Sequence, residues 1–366
     1  MPTWTCKAAS AVIAGMAALA AATVSQADGA PARPTISADG VVHVPAFDLP
    51  PSPYMSKEAV GVLKMRATVH MGAPATIPDV AQMRRGLEAQ LAAQVQMTRE
   101  RYPAEVVEQT IAGVRTRVIT PKSGVTQQGR VLINLHGGGF MMCAEACALL
   151  ESLPIASIGG YKVVTVDYRM GPEAVFPAAS EDVAAVYREL LKTYKPANIG
   201  IYGCSAGGVL SGEAGAWLPA HGLPEPGAIG IFGAGAGKFG AGDSAYLSGN
   251  IDGAFPPPPP AGAPAPPQPF RSYFEGADMD DAMVSPMMHL DVLAKYPPTL
   301  VITGTRAPDL SAAVFTHSQL VKAGVPGDLI VGEGMSHCYM YMSTLPEAQD
   351  AYRTIVGFFR KNLSDH

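Results

Sequence analysis

The sequence predicts an α/β fold in which a mostly parallel sheet is covered by helices on both faces. From Val114 onward, short apolar runs alternate with stretches of helical spacing, and strands separated by helices need crossover connections. The 366 residues are 48% hydrophobic and 16% charged, enough apolar material for the core of one large domain or two small ones. A Gly-x-Ser-x-Gly pentapeptide, Gly203 to Gly207, falls between a predicted strand and a predicted helix. The composition also excludes classes. The chain is too apolar to be disordered, and a net charge of -5 with 26 Lys and Arg leaves no basic stripe for nucleic acid.

Met1 to Cys6 holds no acid, Lys7 is positive, Ala8 to Val24 is small and apolar, and Ser25-Gln26-Ala27 places small residues where a signal peptidase reads them. This is the pattern of a secretory signal peptide cleaved after Ala27. The run is shorter and richer in alanine than a permanent anchor, which needs about 20 strongly apolar residues. No later stretch is long and apolar enough for a stable span, so the mature chain is expected to be exported, periplasmic or secreted. Disulfides persist outside the cytosol, and Cys143, Cys147, Cys204 and Cys338 remain after cleavage.

Ala30 to Pro78 is dotted with proline and weakly periodic, which reads as an extended arm. Asp79 then caps a helix in which Met83, Leu87, Leu91 and Val95 recur every four residues, ending near Pro103. Strands are predicted at Val114–Thr120, Val131–Leu135, Lys162–Val166, Ile199–Tyr202, Ala228–Phe232, Thr299–Thr303 and Asp328–Val331. Helices are predicted at Ala178–Tyr194, Val209–Leu218, Ala312–Ala323 and Glu347–Leu363. A Gly/Pro-rich insert at 233–270 breaks this rhythm. Nine of the 33 prolines fall between Pro256 and Pro269, a stiff polyproline-like excursion.

The glycines of the pentapeptide let the backbone turn sharply, so that the Ser205 hydroxyl stands exposed at a helix N-terminus. A hydroxyl that attacks a carbonyl needs donors for the developing oxyanion. Gly137, Gly138 and Gly139 follow a strand and permit close backbone approach, and the Ala206 N–H is a further donor. Gly235 to Gly240 matches G-x-G-x-x-G, but Asp243, Ser244 and the proline tract follow where a helix, second strand and partner acid are needed. No nucleotide cofactor is expected. Metal is not expected either, since no His or Cys pair has closed-site spacing.

His136-Gly137-Gly138-Gly139-Phe140, then Asp167 to Glu173 with Phe176-Pro177-Ala178, then Gly203 to Gly208, resemble the hormone-sensitive-lipase group of α/β-hydrolases from about Val114 to the C-terminus. The resemblance implies an eight-stranded, mostly parallel sheet under a cap built partly from the N-terminal segment. It further implies hydrolysis of short- to medium-chain or aryl carboxylic esters, a small-molecule substrate and no cofactor. The expected organisation is a signal peptide (1–27), an arm and cap helix (28–113) and a catalytic domain (114–366).

This fold orders its triad as serine, acid, histidine. His337 follows a late strand through the loop 332–336 and is the candidate base. His43, His70, His221 and His289 precede any acid loop, and His317 sits in a helix. Relatives carry the acid three residues after the glycine that ends the preceding strand, which here is Ala307. Asp309, two residues on, is therefore the candidate, with Glu333 and a plain N-cap role for Asp309 as alternatives. Cys204 precedes the nucleophile and Cys338 follows the base, so a working triad brings their neighbours together. A Cys204–Cys338 disulfide is expected, similar to the cysteine-flanked triad of tannases and feruloyl esterases and worth about 5 kcal/mol on the chain-entropy model. Two buried free thiols are the alternative, while Cys143 and Cys147 either bridge locally or stay free. Lactone or amide hydrolysis with the same triad, or ligand binding without catalysis, stay open at this point, as does the oligomeric state.

Overall fold

Runs of Val, Ile and Leu too short for helices pair into one eight-stranded sheet. The computed structural model describes residues 33–66, 79–237, 240–251, 255–259 and 270–364. The expected signal peptide (1–27), Lys238 and Phe239 of the glycine-rich stretch, and residues 260–269 of the proline tract lie outside the described residues. The chain divides after Pro50. The described part of the first unit is a hairpin of β1 (Thr35–Ile36) and β2 (Val42–His43).

The second unit holds everything else. Its sheet runs, edge to edge, through β3 (Ala104–Ile111), β4 (Val114–Pro121), β6 (Lys162–Val166), β5 (Val131–Leu135), β7 (Ile199–Cys204), β8 (Ala228–Phe232), β9 (Thr299–Gly304) and β10 (Gly327–Gly332). The pairs β3–β4 and β4–β6 are antiparallel, and all others are parallel. Every residue of β5, β7, β8 and β9 is buried, because helices cover both faces. Successive side chains point to opposite faces. Ile133, Ile201, Ile231 and Val301 pack with α4 (Ala178–Leu190), α5 (Ala206–Ala220) and α8 (Leu310–Lys322). Leu132, Tyr202, Phe232 and Ile302 pack with α3 (Ala146–Gly159) and α9 (Pro346–Asn362).

Helix α2 (Val80–Arg101) begins where its cap places it. The Asp79 carboxylate accepts from the Gln82 N–H at 2.7 Å, and the Gln82 side-chain oxygen accepts from the Asp79 N–H at 3.1 Å. Other elements depart from expectation. The sheet begins at Ala104, ten residues before the expected start of the catalytic domain. β3 pairs with β4 along its whole length around a turn at Ala112 and Gly113, both at positive φ. Helix α1 (Lys57–Arg66) forms within the stretch read as extended, and α6 (Asp243–Ile251) and α7 (Leu290–Leu293) form between β8 and β9. Helix α3 has no amphipathic stripe to announce it, since all but Ser157 and Ile158 are buried, and it carries Pro154.

Glu213 on α5 is fully buried. Ser180 Oγ donates to Oε2 at 3.2 Å, and Oε1 has no hydrogen-bond partner among the described residues. Desolvation raises its pKa well above the ordinary 4.5, so the folded chain keeps a proton that the unfolded chain releases. Stability must then fall as pH rises above the unfolded value. Glu213→Gln should therefore melt higher than the parent at about pH 8, with the difference shrinking towards about pH 4. A difference that does not change with pH contradicts this.

Candidate active site

The carboxyl ends of β5, β7, β9 and β10 point the same way, the side on which open α/β sheets place their ligands. Ser205 stands between β7 and α5 at φ 60°, ψ -123°, a backbone region that disfavours a side chain. Two contacts hold it there. Its N–H donates to Phe232 O at 2.8 Å, and α5 starts so close to β5 that a Cβ on residue 207 would lie 1.7 Å from Leu135 O. Only glycine fits, which is the physical content of the motif's second glycine.

His337 Nε2 lies 2.9 Å from Ser205 Oγ, and Nδ1 lies 2.7 Å from Asp309 Oδ1. Asp309 is fully buried, and its other oxygen accepts from Thr303 Oγ1 at 2.6 Å. It opens α8 but makes no side-chain cap bond, so its carboxylate serves His337 and Thr303 rather than the helix. Ala307 is buried two residues earlier, its N–H donating to Gly304 O at 3.1 Å, while Glu333 is exposed. His317 stays on α8, its Nε2 3.2 Å from Gly327 O. Of the candidate side chains, the structure brings together Ser205, His337 and Asp309.

Beside Ser205, the N–H groups of Gly138, Gly139 and Ala206 have no protein acceptor among the described residues. Gly138 is at φ 112°, and a Cβ there would lie 1.9 Å from Met142 O. Gly137 differs from its neighbours. Its N–H donates to Glu151 Oε1 at 2.9 Å, so of the glycines grouped for the oxyanion this one shapes the loop and is not available as a donor. The loop is held from behind by His136, whose ring stacks on Tyr168 at 4.3 Å while the Tyr168 hydroxyl donates to His136 O at 2.7 Å. Burial lowers the His136 pKa to about 4, which keeps that ring neutral.

The Cys204 and Cys338 sulfurs lie 2.01 Å apart, and those of Cys143 and Cys147 lie 2.08 Å apart. Ser205 and His337 open onto a cavity of about 880 Å³. Leu87 and Leu91 of α2 wall it on one side and Phe140, Tyr273 and Phe274 on another, and among the described residues no Asp, Glu, Lys or Arg lines it. Arg84 fixes α2 in that place. It donates to both Glu173 oxygens at 2.8 Å, to Met141 O at 2.7 Å and to Gly171 O at 2.9 Å. Thr303, Glu151 and Tyr341 escaped the reading of the sequence. Glu151 did leave a signal, as the only charged residue but Glu145 from Met141 to Gly160.

A model of an α/β-hydrolase-fold family matches residues 132–341, more than half of the chain. The chain belongs to that family. Among solved structures, esterase E25 superposes with a TM-score of 0.72 at 27% identity, covering 88% of this chain and 99% of that one. An esterase of the bacterial hormone-sensitive lipase family gives 0.69 at 26% identity, covering 84% and 97%. An acetyl-hydrolase of Streptomyces hygroscopicus is 37% identical over 103 residues, 28% of this chain and 34% of that protein. The carboxylesterase/phospholipase LipF of Mycobacterium tuberculosis is 27% identical over 249 residues, 65% of this chain and 63% of that one. The chain thus spans about a third of the first of these curated relatives and under two thirds of the second. The resemblance to hormone-sensitive-lipase-type esterases holds across family and neighbours.

Peptide mapping without reductant should recover Cys204 linked to Cys338 and Cys143 linked to Cys147. Alkylated single peptides at these positions contradict the pairing.

Proposed function

We propose that the protein is an exported serine carboxylesterase that hydrolyses neutral, apolar esters, short- to medium-chain or aryl, through Ser205, His337 and Asp309. The observation that carries this reading is one continuous hydrogen-bonded chain, Ser205–His337–Asp309, beside three backbone N–H groups that have no acceptor among the described residues, in a cavity whose described lining carries no Asp, Glu, Lys or Arg. In the proposed reaction, Ser205 Oγ attacks the ester carbonyl carbon while His337 Nε2 takes its proton. Asp309 holds the tautomer with hydrogen on Nδ1 and stabilises the imidazolium. The oxyanion rests on the Gly138, Gly139 and Ala206 N–H groups, which act more strongly in a dry pocket than in water. Collapse expels the alkoxide, which takes the proton from Nε2. Water, deprotonated by the same nitrogen, then releases the acid and restores Ser205.

The lining among the described residues, without Asp, Glu, Lys or Arg, supports a neutral substrate, because an ionised group buried there without a partner costs several kcal/mol. Export rests on the pattern of residues 1–27 and on two cysteine pairs at bonding distance. Ser205→Ala should abolish turnover of p-nitrophenyl acetate, and Asp309→Asn should lower kcat by about 10⁴-fold, as in other triads. Undiminished turnover by Ser205→Ala rules out the mechanism, and an Asp309→Asn loss under about tenfold moves the acid elsewhere.

A further inference from the structure

Glu151 lies on α3, outside the proposed chemistry, yet its carboxylate is surrounded by the segments that deliver that chemistry. The side chain is buried. Oε1 accepts from the Gly137 N–H at 2.9 Å and from the Tyr341 hydroxyl at 2.6 Å. Oε2 accepts from the Asn134 amide at 2.7 Å and from the Cys204 N–H at 3.3 Å. Gly137 immediately precedes the donors at Gly138 and Gly139, Cys204 immediately precedes Ser205, and Tyr341 stands four residues after His337. Tyr341 also presses on the glycine loop, its hydroxyl 2.5 Å from where a Cβ of residue 137 would stand, and it lines the substrate cavity.

We infer that Glu151 is a positioning residue that braces the oxyanion loop, the serine turn and the segment after His337 against one another through a single planar carboxylate. The inference rests on the esterase reading above. A helix residue needed only for packing would be apolar, because burying a carboxylate is costly unless donors surround it. Here four donors do so, and two are backbone N–H groups that cannot change role. Among the described residues no Lys or Arg is a hydrogen-bond partner of it, and the phenols of Tyr341, Tyr168 and Tyr202 face it. Burial raises its pKa to about 7 while the four donors pull it down.

An amide at this position cannot reproduce the brace. Whichever way it is turned, its NH₂ group meets one of the two backbone N–H groups, donor against donor. The donors at Gly138, Gly139 and Ala206 act on charge that develops in the transition state, so their misplacement lowers kcat rather than raising KM. Glu151→Gln should lose about 10- to 100-fold in kcat with KM changed less than about twofold, somewhat less than the loss of a whole oxyanion donor. Tyr341→Phe, which removes one donor and no backbone contact, should lose about three- to tenfold in kcat while the fold persists. If Glu151→Gln does not fold, Tyr341→Phe decides alone. A lowered melting temperature with kcat unchanged, or a rise in KM with kcat intact, overturns the inference. Because the parent enzyme and Ser205→Ala are assayed alongside, failure of the esterase reading would be seen separately, as an inactive parent or an active Ser205→Ala.

Discussion

The closeness of α5 to β5 is the constraint on which the site depends. With Leu135 O occupying the space a side chain at residue 207 would need, the chain leaving β7 has no room for a gradual turn. It turns at Ser205 itself, in a conformation that a side-chain-bearing residue adopts only when its surroundings over-determine it. The surroundings do so: the Ser205 N–H is tied to the end of β8, and Cys204 is held by Glu151 and by the sulfur of Cys338. Each of these ties comes from a different strand end or helix, so the position of one hydroxyl is set by the packing of the whole sheet. His337 and Asp309 need no comparable strain, because loops after β9 and β10 carry them to it.

Two buried glutamates show how hydrogen-bond donors limit the same desolvation to different degrees in one core. Glu213 has a single hydrogen-bond donor among the described residues, and desolvation raises its pKa well above the ordinary carboxylate value. Glu151 has four donors, which partly offset the same desolvation and hold its pKa to about 7. The difference is not depth but company. It also separates a buried acid on α5 from one whose bonds all reach segments of the candidate site.

Most of the sheet was legible because its strands are short, apolar and bounded by glycine or proline, a pattern that a helix of ten or more residues does not share. Ser205, the glycine loop and His337 were legible because each follows such a strand. What stayed hidden had no local signal. Helix α3 is buried along almost its whole length, so no apolar stripe marks it. Strand β3 is an edge strand with mostly exposed, polar residues, and only its pairing with β4 defines it. Asp309 was named against a rival, Glu333, and only the tertiary path of the loop separates a buried acid facing His337 from an exposed one. Thr303 and Tyr341 gain their roles from partners that are remote in sequence or lie across a turn.

In the proposed mechanism one hydroxyl, forced out by a turn, faces N–H donors arranged for an oxyanion. A crystal structure of the protein inactivated by an alkylphosphonate ester tests it most directly, since the tetrahedral phosphorus stands in for the attacked carbonyl carbon. A covalent bond from Ser205 Oγ to phosphorus is expected, with one phosphoryl oxygen within about 3.1 Å of the Gly138, Gly139 and Ala206 nitrogens and the Gly137 N–H still on Glu151. An adduct on another residue, or a phosphoryl oxygen turned away from those three nitrogens, would contradict it.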